Sequence, residues 1–186
     1  MKTYRLALLA LGMTAFAGSA QAQLVVQGKG DAALCYDYSF RGNNGSRTAI
    51  ETCSDALDQV LTKKDRAATL VNRGILHMRK GDQTAASADY DAAIAIQPNL
   101  TEAYVNYGAS LIRQRKYSEA LTALNTALED TESSTRPEAL YNRAIVMDQT
   151  DRYSEAYQDA KAALALRPDW KPALDLIDRY VIQPAG

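Results

Sequence analysis

The sequence predicts an all-α fold in which helical hairpins stack side by side into a solenoid that ends in a capping helix. The first observation is that small residues recur in three segments with the same spacing: Gly74, Ala86, Ala93; Gly108, Ala120, Ala127; and Ala144, Ala156, Ala163. The second is that the segments follow one another after 34 and then 36 residues. The third is that no stretch shows the apolar–polar alternation of a half-buried strand.

This repeat resembles the tetratricopeptide repeat (TPR), with units at 67–100, 101–134 and 137–170. The resemblance implies a right-handed solenoid of helix-turn-helix units, in which the small residues lie where neighbouring helices come closest. It also implies that the first helix of each unit lines a concave groove. Two extra residues, Thr135 and Arg136, separate the second unit from the third.

The first 22 residues have the pattern of a signal peptide rather than of a folded segment. Lys2 and Arg5 precede a short apolar run, and Ala20-Gln21-Ala22 forms a small-x-small cleavage site. The apolar run is shorter than the roughly 20 residues that cross a bilayer. The mature chain is therefore expected to begin at Gln23, to be exported to a bacterial periplasm and not to insert into the membrane. An uncleaved membrane anchor is the alternative.

Charge argues against general nucleic-acid binding. The formal net charge of the whole chain is −1, and removal of Lys2 and Arg5 with the signal peptide takes it to about −3. An acidic chain is repelled by phosphate backbones and by anionic lipid surfaces. The expected partner is therefore a protein or a peptide, and the sequence does not indicate the oligomeric state.

The N-terminal part of the mature chain, residues 23–66, reads as a segment followed by a degenerate helical hairpin that caps the solenoid. Its second helix is predicted to begin at a capping box, Thr48-Ala49-Ile50-Glu51. Cys35 and Cys53 flank the turn of this hairpin, and in an oxidising compartment they are expected to form one disulfide. A redox pair is the alternative, although redox cysteines are usually closer in sequence.

The C-terminal part of the solenoid, up to residue 182, is predicted to include a capping helix with Pro172 in its first turn, and 183–186 form a tail. The apolar residues of this helix would cover the open end of the third unit, as terminal caps of solenoids do. Arg73 and Arg143 stand where the family usually has leucine. Their stems are expected to lie along the groove wall with the charged heads in water.

The groove is the candidate binding site. Asn72, Asn106 and Asn142 occupy the same position in the three units, and such a ladder resembles the one by which peptide-binding TPR proteins hold a ligand backbone. Arg79 and Arg113, also at one repeat position, could grip a carboxylate, which loosely resembles a carboxylate clamp. The apolar contacts are predicted to come from four further groove residues: Val71, Ile75, Val105 and Tyr141.

The sequence offers little support for an enzymatic reaction. It contains no glycine-rich phosphate loop, no HExxH motif and no cysteine–histidine pair, and the single histidine, His77, falls at a core position of the repeat. No catalytic residue, metal site or cofactor is therefore expected. The preferred hypothesis is a non-enzymatic periplasmic adaptor that binds an extended peptide or a protein surface in its concave groove. The alternative is a structural subunit of a cell-envelope assembly that uses its convex face or its terminal helices.

Overall fold

The structure, a computed structural model, describes residues 5–6, 30–41, 45–180 and 182–183. The helices in these ranges are α1 Asp31–Phe40, α2 Arg47–Asp58, α3 Lys63–Lys80, α4 Gln83–Ile96, α5 Thr101–Arg113, α6 Tyr117–Glu129, α7 Arg136–Gln149, α8 Tyr153–Leu166 and α9 Lys171–Ile177. Two short strands, β1 Arg5–Leu6 and β2 Ile182–Gln183, complete the elements. Apart from Arg5–Leu6, the predicted signal peptide and residues 23–29 lie outside the described residues.

The helices form an all-α solenoid of hairpins, as predicted. The paired helices are α1 with α2, α3 with α4, α5 with α6, and α7 with α8, and each hairpin packs against the next. Helix α9 packs on α8 and closes the C-terminal end. No strand was predicted, but β1 and β2 pair antiparallel over two residues each. A ladder this short needs only backbone groups, so no side-chain pattern announces it.

Two helices begin earlier than the sequence suggests. Ser46 rather than Thr48 is the N-cap of α2, and its hydroxyl accepts a hydrogen bond from the Ala49 amide at 3.2 Å. Thr62 caps α3 in the same way through the Asp65 amide, which adds a turn before the predicted start at residue 67. In both cases a hydroxyl-bearing residue upstream of the apolar pattern supplies the acceptor that the first turn requires.

The turn inside each repeat unit uses left-handed backbone at one equivalent position. Gly81 has φ 92°, and Arg115 and Asp151 have φ 60° and 59°. Glycine adopts this conformation without a steric penalty, whereas arginine and aspartate do not. The repeat therefore imposes the turn geometry even where the residue type disfavours it.

The two helices of a unit meet through side chains of complementary size. A methyl group added at Gly74 would lie 2.5 Å from Cε1 of Tyr90, and one added at Gly108 would lie 2.7 Å from Cγ of Leu124. The third unit has Ala144 and Ala160 at the same two positions, both fully buried in one cluster. A large side chain on the second helix thus requires glycine on the first, and a small one permits alanine.

Gly108→Ala is expected to lower the free energy of unfolding by about 1–3 kcal/mol through overpacking, even though alanine favours a helix by about 1 kcal/mol. Gly108→Ala combined with Leu124→Ala recreates the arrangement of the third unit. The double variant should therefore lose less stability than the two single variants added together. Urea denaturation of all four proteins measures this coupling, and strict additivity of the losses would refute the size-matching explanation.

Arg73 and Arg143 do not lie with their heads in water, and this expectation was wrong. Arg73 donates two hydrogen bonds to Asp89, from Nε at 2.9 Å and from Nη2 at 2.6 Å. Arg143 makes the same paired contact with Asp159, at 2.7 and 2.8 Å. Each arginine also bonds to the second helix of the preceding hairpin. Each guanidinium therefore joins three helices.

The predicted disulfide between Cys35 and Cys53 is present. The Cα atoms are 4.8 Å apart, and both side chains are fully buried. The bond joins α1 to α2, so it fixes the N-terminal hairpin as a covalent unit.

None of the helices in the described ranges combines the length and apolarity needed to cross a bilayer.

Candidate protein-binding face

The first helices of the hairpins form one face of the solenoid. Helix α1 contacts α3, α3 contacts α5, and α5 contacts α7, so these four helices lie side by side. We call this layer the first-helix face. Every residue that the sequence assigned to peptide binding belongs to α3, α5 or α7 and therefore to this face.

The three predicted ladder residues are buried. Asn72, Asn106 and Asn142 are each 0% exposed. The Ser39 hydroxyl of α1 donates to Oδ1 of Asn72 at 3.2 Å, and Nδ2 of Asn106 donates to the Glu102 carbonyl one turn earlier at 2.9 Å. These amides therefore have roles within the chain, and a partner would have to compete for them. Their use in backbone recognition stays a prediction.

The predicted apolar contacts belong to the core instead. Val71 and Ile75 are fully buried in a cluster that spans the first unit and the start of the second, and Val105 packs with Ala127 and Ala139 between the second and third units. The sequence placed these side chains on an open groove floor. Helical spacing identified the correct helix face, but it could not show that neighbouring helices cover that face.

Tyr141 is also a core residue, for a different reason. It is fully buried, and its ring lies 4.9 Å from the Trp170 ring, centroid to centroid. Ala173 and Leu176 of α9 belong to the same cluster. The capping helix therefore closes over Tyr141, which removes it from the predicted groove wall.

The two predicted arginines remain partly exposed on the first-helix face. Arg79 donates from Nη1 to the Ser39 carbonyl at 2.6 Å, which ties the end of α3 to α1. Burial lowers the pKa of the Arg79 guanidinium, although it remains charged at any physiological pH. Arg113 lies at the equivalent place in α5, and its buried Nε has no hydrogen-bond partner.

Tyr90 was not singled out by the sequence, but it lies next to both arginines. It is fully buried in the cluster that contains Met78 and Ala109; Met78 precedes Arg79, and Ala109 is one turn before Arg113. Its hydroxyl has no hydrogen-bond partner. Burial raises the pKa of the Tyr90 hydroxyl, as does Asp89 to a smaller degree, whereas the charges of Arg79 and Arg113 lower it.

The third-unit end of the face is occupied by the C-terminal segment. The Tyr180 hydroxyl donates to Oδ1 of Asp148 at 2.6 Å, and Arg179 lies 3.3 Å from the other carboxylate oxygen. Arg167 pairs with Glu138 at 2.7 Å and stacks over Trp170. Two acidic residues of α7 are thereby neutralised within the chain. The sequence showed these charges but not their partners, which follow α8 in the chain.

A depression of about 420 Å³ is lined by residues of α6, α7 and α8. Its charged residues are already paired, because Arg143 bonds to Asp159 and Asn125, and Arg152 pairs with Glu155. A depression whose charges are internally balanced offers little selectivity for a ligand. It therefore carries less weight than the first-helix face.

The described residues offer no geometry for metal chemistry, since no three histidine, cysteine or acidic side chains among them converge on a common point. His77 is mostly buried, and its Nε2 lies 3.9 Å from Oδ2 of Asp89. Burial lowers the pKa of this imidazole, which keeps it neutral near pH 7. His77 therefore packs within the first unit, as its repeat position predicts.

Comparison with known sequences supports the repeat. The tetratricopeptide repeat family model matches residues 67–100. The chain is 36% identical to human "Tetratricopeptide repeat protein 6" over 80 residues, which are 42% of this chain and 15% of that protein. It is 27% identical to mouse "Superkiller complex protein 3" over 104 residues, which are 56% of this chain and 6% of that protein. The chain thus spans a small part of these relatives.

Comparison with solved structures supports the fold. MamA from Desulfovibrio magneticus superposes with a TM-score of 0.62 at 20% identity, covering 79% of this chain and 81% of that one. The second TPR domain of human RPAP3, solved with an HSP70 peptide, gives 0.57 at 23% identity, covering 63% and 97%. YrrB, described as a TPR protein with an unusual peptide-binding site, gives 0.61 at 19% identity, covering 77% and 70%. The chain therefore has the fold of a tetratricopeptide-repeat solenoid.

Proposed function

We propose that this protein is a non-enzymatic adaptor of the bacterial periplasm that binds an extended peptide or a protein surface on its first-helix face. TPR domains are protein–protein interaction modules, and two of the similar structures are described with peptide binding. The periplasmic part of the proposal rests on the signal-peptide pattern of residues 1–22.

The observation that carries the proposal is the pair of arginines at the rim of the face. Arg79 and Arg113 are partly exposed, and they occupy the same place in adjacent parallel helices. Two guanidinium groups one unit apart suit a ligand that runs across the helices and carries acceptors at that spacing. Asn72 and Asn106 are buried in the same two helices and Asn142 is buried in α7, and they would add backbone recognition where the ligand displaces their present contacts.

The variant that tests this is the triple change Asn72→Ala, Asn106→Ala and Asn142→Ala. The exported chain is coupled to resin, envelope proteins are captured and identified, and each purified partner is titrated by calorimetry. The triple variant is expected to bind at least tenfold more weakly, because three lost hydrogen bonds remove about 1.5–4.5 kcal/mol. Intact mass of the purified chain also reports whether it begins at Gln23.

A matched control separates loss of contacts from loss of fold. Ser118→Ala, Thr122→Ala and Thr126→Ala change three polar residues of α6, on the second-helix side, and should leave affinity unchanged. Circular dichroism and thermal melts of both variants show whether the helices persist. Unchanged affinity in a folded asparagine variant would rule out the ladder.

Exposed apolar side chains near the ends of the solenoid favour a second candidate function, that of a structural subunit of an envelope assembly. Among the described residues, the most exposed large apolar side chains are Leu34, Phe40, Val60, Leu166 and Leu174. The first two belong to α1, Val60 follows α2, and the last two belong to α8 and α9. Under this alternative, Leu174→Ser would disrupt assembly while the asparagine variant would not.

A further inference from the structure

The first unit contains a mostly buried histidine beside its pair of Arg73 and Asp89. The His77 side chain is 16% exposed, and its Nε2 lies 3.9 Å from Oδ2 of Asp89, which is too far for a hydrogen bond. Each oxygen of Asp89 already accepts a hydrogen bond from Arg73. Arg73 also donates to the Ser54 hydroxyl of α2 at 3.0 Å. The imidazole therefore lies next to the contact that joins α2, α3 and α4.

The surroundings of His77 favour the neutral ring over the protonated one. Its Nδ1 atom is buried and has no hydrogen-bond partner. In a neutral imidazole one nitrogen carries no hydrogen and only accepts, whereas both nitrogens of the protonated ring are donors. Protonation would therefore leave a charged N–H group buried without an acceptor, which costs more than an unsatisfied neutral group.

The charges around the imidazole do not compensate for its burial. Burial is the largest influence, and it lowers the pKa of His77 below its ordinary value of 6.5. Asp89 of α4 and Asp82 of the turn before α4 favour the protonated ring, whereas Arg73 and Lys80 of α3 oppose it. Helix α2 contributes an uncharged hydroxyl to this contact. The neutral ring is therefore the form that fits the folded chain.

We propose that His77 makes the contact between α2, α3 and α4 sensitive to acid, because its protonated ring competes with Arg73 for the carboxylate of Asp89. If the carboxylate moves to close the 3.9 Å gap to the imidazolium, its hydrogen bonds to Arg73 lengthen. The guanidinium then loses part of the contact that holds the N-terminal hairpin to the first unit. This inference does not depend on the adaptor function.

The third unit offers a matched comparison within the same chain. Arg143 makes the same paired contact with Asp159, but Met147 stands where the first unit has His77. A thioether does not titrate, so the third unit has the paired contact without the pH-sensitive group. Because each unit of a solenoid contacts only its neighbours, acid should loosen the N-terminal end and leave α7 and α8 in place.

The first measurement is the pKa of His77 by NMR in the purified protein, prepared without a histidine tag. The chain has a single histidine, so one imidazole C–H signal reports it. We expect a pKa below 6.5. Arg73→Met should raise this pKa, because it removes a cation and leaves both oxygens of Asp89 available to the ring. A pKa at or above 6.5 in the wild type, or an unchanged pKa in folded Arg73→Met, would overturn the proposal.

Urea denaturation at pH 7.5 and pH 5.0 measures the effect on stability, with His77→Met as the control that reproduces the third unit. The folded protein binds this proton less readily than the unfolded chain. The contribution of His77 to stability is therefore complete above the unfolded pKa of about 6.5, and it is lost as the pH falls from there toward the lower folded pKa. Between the two pH values, the unfolding equilibrium constant of the wild type should rise at least about threefold more than that of His77→Met.

Hydrogen exchange then locates the effect. At pH 5.0 the protection factors in α2, α3 and α4 should be lower in the wild type than in His77→Met, and those in α7 and α8 should be equal. Ordinary aspartates, with a pKa of about 3.9, remain ionised at this pH and do not contribute. Equal acid sensitivity of the two folded proteins, or a loss of protection spread evenly over the solenoid, would overturn the proposal.

Discussion

Asp89→Ala is expected to lower the free energy of unfolding by about 3 kcal/mol, because it leaves the Arg73 guanidinium without its paired carboxylate in a poorly hydrated place. The Asp89 side chain is 7% exposed and that of Arg73 is 23% exposed. Arg73 would retain its hydrogen bond to Ser54 of α2 at 3.0 Å, which keeps the loss below that of a fully isolated charge. Urea denaturation measures the change.

Two further variants show whether the loss comes from the stranded charge. Arg73→Met with Asp89→Leu removes both charges and should recover most of the stability, since apolar residues of similar volume often replace a buried pair without cost. Glu51→Ala breaks the exposed pair between Arg47 and Glu51 and should have no measurable effect. A loss in the double variant as large as in Asp89→Ala would contradict this explanation.

Replacing both Cys35 and Cys53 with alanine is expected to cost about 3 kcal/mol in the N-terminal hairpin, because the closed loop no longer restricts the unfolded chain. In a solenoid each unit contacts only its neighbours, so the loss should stay local. Hydrogen exchange should therefore speed up across residues 31–58 and stay unchanged in α5 to α8.

The consequence for the first-helix face gives a second measurement. Helix α1 supplies the Ser39 groups that contact Asn72 and Arg79. Loosening α1 should therefore also accelerate exchange near the middle of α3. Thr52→Ala, which removes a hydroxyl of α2 that bonds only to the Thr48 carbonyl of the same helix, leaves the disulfide intact and serves as the control. Unchanged protection of residues 31–58 in the alanine variant would show that packing alone holds the hairpin.

The charged residues illustrate what repeat spacing can predict. Arg73 and Arg143 were recognisable as departures from the family pattern, but each pairs with an aspartate sixteen residues later, on the second helix of its own unit. The middle unit has Tyr107 in place of the arginine and Ala123 in place of the aspartate, so the two members of the pair are absent together. Comparing the second-helix positions across the units would have revealed the pairs from the sequence.

The accessibility of the predicted binding residues was decided by packing. Helical period shows which side chains share one face of a helix, but it does not show which neighbouring element covers that face. Val71 and Val105 are covered by adjacent hairpins, and Tyr141 is covered by α9. Arg79 and Arg113 are partly exposed, and they lie in the last turns of α3 and α5.

The sequence by itself determined the all-α solenoid, the three repeat units and the single disulfide. The solenoid and its units follow from small residues at fixed spacing, and the disulfide follows because two cysteines have one possible pairing. Both can be read along the chain without knowledge of its three-dimensional contacts. The tertiary structure alone decided which polar groups are satisfied. Asn72 of α3, for example, accepts a hydrogen bond from Ser39 of α1, whereas the buried Tyr90 hydroxyl has no hydrogen-bond partner. Such differences depend on distances between segments that are far apart in the chain, and no periodicity encodes them.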